Sequence, residues 1–233
     1  RSLSACEGAV LLVDAAQGVQ AQTVANAFLA MEHGLDLVPV INKIDLPHAR
    51  VEDTIEEMHV TLDIDPAAVV AVSAKTGRNV PAVLDAVLER VRPPKGDAAA
   101  PLRALVFDSS YDDYRGVILY LRVLDGAVRA GDEVRLHHGG RTYEVMEVGA
   151  FRPQMRPEKG LYAGEVGYCI AGIREMREVR VGDTLSLAGR PVQPLPGYRR
   201  PQPMVFCGLY PAINNEAGAL REAYEEIGLC RAD

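Results

Sequence analysis

The sequence contains few cysteines, and they lie far apart, at positions 6, 169, 207 and 230. Because no two of them form a C-x-x-C pair, their spacing argues against a metal site or a disulfide framework and fits a reducing compartment. The sequence also lacks any apolar run of the roughly 20 residues that a membrane-spanning helix needs. The net charge of −7 excludes the strongly basic surface typical of DNA-binding proteins. We therefore expect a soluble protein with no transmembrane segment, no metal site and no DNA partner.

Hydrophobic residues are plentiful: they make up 48% of the 233 residues, enough for one large domain or two smaller ones. In the first 93 residues, apolar runs of strand length alternate with segments of helical periodicity. The predicted strands cover residues 9–14, 37–41 and 69–72, and the predicted helices cover residues 20–32, 51–62 and 80–90. This alternation predicts a parallel α/β layer.

Proline and glycine mark where the α/β pattern stops. Residues 94–101 have no periodicity, and we interpret them as a linker. The segments that follow are short and strand-like, with turn sequences between them, and they predict a small antiparallel β-barrel over residues 102–190. The predicted strands are 102–108, 117–124, 133–138, 143–151, 165–173 and 183–187. Arg152, Arg156 and Lys159 are expected in a local basic loop or a solvated turn rich in proline.

A second proline-rich break, at residues 191–202, precedes one more predicted strand at 204–209 and one helix at 217–227. A lone strand and helix cannot bury a core by themselves. We therefore expect residues 203–233 to form the start of a third domain, of the α+β class, that is cut short in this sequence.

Two short polar motifs follow predicted strands of the first domain: N-K-I-D at residues 42–45 and S-A-K at residues 73–75. Both lie at the carboxyl ends of parallel strands, where open α/β sheets bind ligands. Guanine presents two adjacent donors, the ring N–H and the exocyclic amine, and the ionised carboxylate of Asp45 can accept both. Adenine offers no such pair. The two motifs together predict a guanine-binding site, whereas the first alone would indicate no more than a polar turn.

The other residues of the two motifs have complementary tasks. Asn42 can bridge the backbone and the base, the methylene stem of Lys43 can cover the ring face, and the backbone N–H of Ala74 can donate to the guanine oxygen. The candidate binding residues are Asn42, Lys43, Asp45, Ser73, Ala74 and Lys75.

A guanine-binding α/β domain followed by a linker and a β-barrel is the layout of translational GTPases, and the local sequences resemble the elongation factor 4 (LepA) family over essentially the whole chain. The stretches that carry the resemblance are SLSACEGAVLLVDAAQGVQAQT (residues 2–23), NKIDLP (42–47), SAKTG (73–77), FDSSYDDYRGV (107–117), AGEVGYCIAGI (163–173) and PMVFCGLYP (203–211). The resemblance implies the C-terminal part of a P-loop GTPase domain over residues 1–93, then a translation-factor barrel and the start of an α+β domain.

The family's activity is GTP hydrolysis on the ribosome during translation elongation, with a proposed remodelling or backward movement of the ribosome–tRNA complex. The resemblance implies that Asn42, Lys43 and Asp45 hold the guanine of GTP or GDP and that residues 73–75 close over it. It also implies a cytoplasmic location, with peripheral association at the inner face of the plasma membrane left open.

Several parts of a GTPase are missing from this sequence: a glycine-rich loop with Lys and Ser/Thr for the phosphates and Mg²⁺, a switch threonine and a D-x-P-G-H segment. The family places them upstream of Arg1. We therefore expect Mg²⁺ to be held by residues absent here, and we assign no catalytic or metal-binding residue. By itself the chain is expected to be inactive and to bind GTP no more tightly than about 1 mM. Ser110 stands where the family pattern has Trp, a difference that affects local packing.

Five further residues match the family's barrel pattern, and we expect them to face the nucleotide domain or a ribosomal partner: Asp108, Tyr111, Asp112, Tyr114 and Arg115.

Two alternatives to this function stay open. The chain could be a nonenzymatic module that docks on a ribosome or another protein through its barrel. It could also belong to a translational GTPase of the elongation factor G or BipA type, although residues 111–116 and 164–173 favour the LepA family.

Overall fold

The computed structural model describes residues 2–196, and the strand and helix expected at residues 204–209 and 217–227 lie outside this range. The chain divides into two compact units, with the boundary between Pro94 and Lys95. Within residues 2–196, no helix is long and apolar enough to cross a membrane.

The first unit is a parallel sheet with helices packed on it. Its strands lie in the order β1-β2-β3, and both pairings are parallel. The alternation of strands and helices agrees with the prediction, although the third strand is shorter than expected. In chain order the elements are β1 (Gly8–Asp14), α1 (Ala21–Glu32), β2 (Asp36–Asn42), α2 (Val51–Leu62), β3 (Val70–Ala71) and α3 (Val80–Arg90).

The central strand β2 explains why this unit needs helices on both sides of the sheet. Val38 and Val40 are buried with Ala86 of α3, whereas Ile41 is buried with Met58 of α2 in a separate cluster. A strand that is buried on both faces has a continuous apolar sequence, which is what residues 37–41 show. This packing agrees with the central position of β2, and the parallel pairing places the carboxyl ends of all three strands at one edge of the sheet.

The second unit is an antiparallel β-barrel fold. Between residues 95 and 196, eight strands form one sheet in the order β10-β9-β12-β5-β4-β13-β7-β8, and β11 pairs with β6. Their bounds are β4 (Arg103–Asp112), β5 (Gly116–Asp125), β6 (Ala127–Val128), β7 (Glu133–Leu136), β8 (Thr142–Glu144), β9 (Glu147–Arg152), β10 (Gln154–Pro157), β11 (Leu161–Tyr162), β12 (Val166–Ile170) and β13 (Thr184–Leu187). The sheet surrounds one core, in which Leu119 and Leu121 of β5 are fully buried.

The prediction of a single strand at residues 143–151 is wrong, because the structure has two strands there, β8 and β9. Strand β8 pairs with β7, and β9 pairs with β12 and β10. At the break, the Val145 N–H donates to the Asp132 carbonyl and the Met146 N–H donates to the Ile170 carbonyl. The chain changes partner strands between these two residues, which alternation of apolar residues cannot reveal.

The prediction of a turn or basic loop around Arg152, Arg156 and Lys159 is also wrong in part. Residues 154–157 form the edge strand β10, which pairs with β9 from Gln154 opposite Arg152 to Pro157 opposite Gly149. Proline is tolerated at a sheet edge, where its missing N–H breaks no ladder. Because of its prolines, the segment was not predicted as a strand from the sequence.

An aromatic cluster covers part of the barrel's outer surface. Tyr120 and Phe151 meet edge to face with ring centroids 5.3 Å apart, and Phe151 lies 5.8 Å from the fully buried Tyr168. Burial and a hydrogen bond to Glu147 raise the pKa of Tyr168 to about 12. Ser110 joins the cluster through Tyr120, whose hydroxyl lies 3.0 Å from the serine Oγ. A polar contact thus occupies the position where the family pattern has Trp.

Candidate nucleotide-binding site

The carboxyl ends of the three parallel strands bring the predicted motifs together. Asp14 ends β1 and stands opposite Asn42, which ends β2. The Ala15 N–H donates to the Asn42 carbonyl at 2.9 Å, and the Ile44 N–H donates to the Val72 carbonyl, just before Ser73, at 3.3 Å. Backbone hydrogen bonds therefore continue past the strand ends and hold the three loops side by side.

Asn42 connects the loops after β2 and β3 through one side-chain oxygen. Its Oδ1 accepts the Lys43 N–H at 2.7 Å and the Ala74 N–H at 2.9 Å. Lys43 has a φ of 67°, in the left-handed region that few residues other than glycine adopt. The first of these hydrogen bonds helps to hold that backbone conformation.

Asp45 and Ser73 form the second link between the two motifs. The Ser73 hydroxyl donates to Asp45 Oδ1 at 2.6 Å, and the Ser73 side chain is fully buried. This hydrogen bond, followed by the backbone N–H of Asp45 itself and the positive charge of Lys75, holds the pKa of the Asp45 carboxyl below its usual range against the opposing effect of desolvation. At neutral pH the carboxylate is therefore ionised, and its second oxygen can accept hydrogen bonds from a ligand.

Sequence reasoning missed one residue at this edge, Asp14. Its Oδ2 lies 2.6 Å from Lys43 Nζ, and its Oδ1 accepts the Ala16 N–H at 2.8 Å. The hydrogen bond from Lys43 is the largest cause that holds the pKa of Asp14 below its usual range. The signal was present in the sequence, because Asp14 is the first polar residue after the apolar run of β1, in the position that Asn42 occupies after β2.

The barrel residues that the sequence singled out lie in the second unit. Asp112 Oδ1 accepts the N–H groups of Tyr114 and Arg115, both at 2.9 Å, so this carboxylate shapes the turn between β4 and β5. Tyr111 and Tyr114 are exposed, the latter at 99% of its surface. With Glu147 they line a surface cleft of about 680 Å³. Among residues 2–196, no cluster of His, Cys, Asp and Glu is arranged to hold a metal ion.

Two protein-family models match the chain. The model described as "Elongation factor Tu GTP binding domain" matches residues 1–93, and the one described as "Elongation factor Tu domain 2" matches residues 116–186. The two matches together cover well over half of the chain. A parallel α/β unit that carries N-K-I-D and S-A-K, followed by this barrel, defines the class of translational GTPases.

Curated relatives identify the family within this class. Proteins named "Elongation factor 4" from Thermotoga maritima and Symbiobacterium thermophilum are each 51% identical over 98% of this chain, and "Elongation factor 4 1" from Rhodopirellula baltica is 52% identical over the same share. The chain therefore belongs to the elongation factor 4 family. It spans 37% or 38% of the length of these relatives.

A solved structure supports the fold alone. The crystal structure of the bacterial selenocysteine-specific elongation factor EF-Sec matches 80% of this chain and 32% of its own chain, with a TM-score of 0.65 and 22% identity.

Proposed function

We propose that this chain is the guanine-binding part and the second domain of a GTPase that acts on the ribosome in translation elongation. Three findings support the proposal: the match to a GTP-binding domain, the names of relatives about half identical to the chain, and the joined loops at the strand ends. In this proposal, GTP and GDP are the nucleotide ligands, and the ribosome–tRNA complex is the partner that the longer protein remodels or moves back. The proposed place of action is the cytoplasm.

The single observation that carries the proposal is the double link between the motifs. Residues 28 and 32 positions apart are joined by the Ser73–Asp45 and Ala74–Asn42 hydrogen bonds, at 2.6 and 2.9 Å. Two independent solvated turns would not form both of these hydrogen bonds with each other. A preformed pair of loops, in contrast, lets a base bind without first ordering the chain.

Each motif residue has a role in the proposed site. Asp45 accepts the two adjacent donors of guanine, Asn42 holds the loops and contacts the base, and Lys43 covers one ring face. Ser73 orients Asp45, and Lys75 adds positive charge beside that carboxylate. The Ala74 N–H donates a bifurcated hydrogen bond, to Asn42 Oδ1 and to the guanine oxygen. Ionised Asp45 favours guanine over adenine, because adenine presents no such pair of donors.

Phosphate binding, Mg²⁺ coordination and hydrolysis belong, in this proposal, to residues outside this sequence, which contains no glycine-rich loop with Lys and Ser/Thr. We also propose the domain limits that the sequence predicts: residues 1–93 for the GTP-binding part, 94–101 for a linker, 102–190 for the barrel, 191–202 for a second linker and 203–233 for the start of a third domain.

Calorimetric titration of this chain and of the full-length protein with GDP, GTP, ADP and ATP tests the proposal. The full-length protein should bind guanine nucleotides at least 100-fold more tightly than adenine nucleotides, and its GTP hydrolysis should rise when ribosomes are added. This chain should bind GTP no more tightly than about 1 mM. Equal affinity of the full-length protein for GTP and ATP would overturn the base-binding assignment.

The exposed barrel residue Tyr114 is proposed to contact the ribosome. Replacing it with Ala in the full-length protein should lower ribosome-stimulated GTP hydrolysis by about fivefold while GDP affinity and thermal stability stay unchanged, because the side chain is 99% exposed. Tyr162, which is 41% exposed and lies on strand β11, supplies a control for the loss of a surface tyrosine when it is changed to Ala. If Tyr114→Ala weakens GDP binding instead, the residue belongs to the nucleotide site.

A further inference from the structure

The contact between Lys43 and Asp14 is more than a surface ion pair, because both carboxylate oxygens have partners of their own. Oδ2 lies 2.6 Å from Lys43 Nζ, while Oδ1 accepts the Ala16 N–H at 2.8 Å. The Asp14 side chain is 19% exposed and that of Lys43 is 52% exposed. Both contacts orient the carboxylate, while about half of the Lys43 side chain stays exposed to solvent.

The loop that carries Asp14 is itself closely held. The Asp14 carbonyl accepts the N–H groups of Gln17 and Gly18, at 3.1 and 2.9 Å, and the Val19 N–H donates to Glu57 Oε2 at 2.9 Å. Gly18 has a φ of 70°, a backbone conformation that strains residues with a Cβ, and a Cβ there would lie 2.3 Å from Glu57 Oε2, so glycine is favoured at this turn. Asp14 therefore sits on a fixed support at the edge of the sheet.

We propose that Asp14 is a positioning residue for nucleotide binding: it anchors the ammonium of Lys43 so that the methylene stem lies in place to cover the base. The proposal rests on the proposed function. Both ends of Lys43 are then held, the backbone N–H by Asn42 Oδ1 and the Nζ by Asp14. A free lysine side chain would have to give up its rotamer freedom when the nucleotide binds, and Asp14 removes that cost in advance.

The test compares Asp14→Asn with wild type in the full-length protein, with GDP as the probe. Asparagine keeps the shape and an oxygen for the Ala16 N–H, so it removes the charge that holds Lys43 and little else. We expect GDP affinity to fall about tenfold, mainly through faster dissociation, and the preference for GDP over xanthosine diphosphate to change less than twofold. Asp14→Glu, which restores the charge, should recover most of the affinity.

A double-mutant cycle separates positioning from a general structural role. In a Lys43→Met background, Asp14→Asn should cause no further loss of GDP affinity, because the group that it positions is gone. Glu57→Gln is the matched control, since it removes a charge from the support of the same loop and keeps an oxygen for the Val19 N–H. Its GDP affinity should stay within twofold of wild type.

Each result decides a different question. Unchanged GDP affinity in Asp14→Asn, or an equal loss in the Lys43→Met background, overturns the positioning role while the guanine site stands. If wild type binds GDP and ADP equally, the proposed function fails, and the positioning role fails with it.

Discussion

Replacing Asp45 with Asn in the full-length protein should weaken GTP binding by about 100- to 1,000-fold and should improve binding of xanthosine triphosphate. The Asp45 carboxylate is ionised at neutral pH, and the hydrogen bond from the Ser73 hydroxyl lowers its pKa further. An amide at this position places an N–H against a guanine N–H, so donors meet donors and lose their water without gaining a partner. Xanthine carries an oxygen in place of the exocyclic amine, and the amide can donate to it. Competition of both nucleotides against a fluorescent GDP analogue measures the change.

A matched control for this substitution is Asp65→Asn. Asp65 lies before β3, at the end of that strand away from Ser73, and its Oδ1 accepts the Ala67 N–H at 2.9 Å, which an asparagine oxygen can also do. The control loses the same charge and should bind GTP like wild type. Unchanged GTP affinity in Asp45→Asn would show that this carboxylate does not contact the base, and the N-K-I-D assignment would then be wrong.

The acid sensitivity of the site follows from the same hydrogen bonds. The pKa values of Asp14 and Asp45 both lie below the usual range of an aspartate. A depressed pKa in the folded state means that ionisation favours the folded, paired arrangement above the unfolded-state pKa, and that this contribution is lost only as the pH falls through the folded-state value. Asp14 and Asp45 should therefore keep their charges throughout the neutral and mildly acidic range.

Most of the candidate site could be predicted from the sequence because it depends on local chemistry at strand ends. Apolar runs located β2 and β3, and the polar residues that follow a buried parallel strand must lie at the edge where ligands bind. The place of Asp14 at the end of β1 could be predicted from the sequence, but its contact with Lys43, 29 positions away, could not, because only the register of β1 against β2 brings the two side chains within 2.6 Å. Periodicity along one strand carries no information about such register.

The barrel was less predictable for a related reason. In residues 142–152 one apolar segment serves two strands, and the change of partner occurs at Val145 and Met146, where backbone groups pair with Asp132 and Ile170. Strand β10 contains a proline and few apolar residues, yet its neighbour β9 and the half-buried Met155 hold it in place. Tertiary pairing overrides local propensity in both cases.

The register of β10 leads to the largest stability effect that we expect. Gly149 of β9 stands between Pro157 of β10 and Tyr168 of β12. A Cβ on Gly149 would lie 2.1 Å from the Arg156 carbonyl oxygen and 2.6 Å from the Tyr168 hydroxyl. Because backbone atoms of a paired strand cannot move aside cheaply, Gly149→Ala should lower the free energy of unfolding of the barrel by about 3 kcal/mol. Urea unfolding followed by tyrosine near-ultraviolet circular dichroism measures the loss, since six of the nine tyrosines lie in the barrel and residues 1–110 contain neither Tyr nor Trp.

Gly139→Ala is the matched control for this prediction. A Cβ on Gly139 would meet only the Glu178 carbonyl oxygen, at 3.8 Å, and so fits without displacement. This variant should change the free energy of unfolding by less than about 0.5 kcal/mol, because replacing glycine where the backbone accepts alanine mainly restricts the unfolded chain. If both variants unfold like wild type, β9 and β10 cannot lie as close as the ladder from Gln154 to Pro157 requires. A loss confined to Gly149→Ala is explained by that ladder and by the contact with Tyr168. The variant pair therefore tests the placement of β10, a strand that the sequence did not predict.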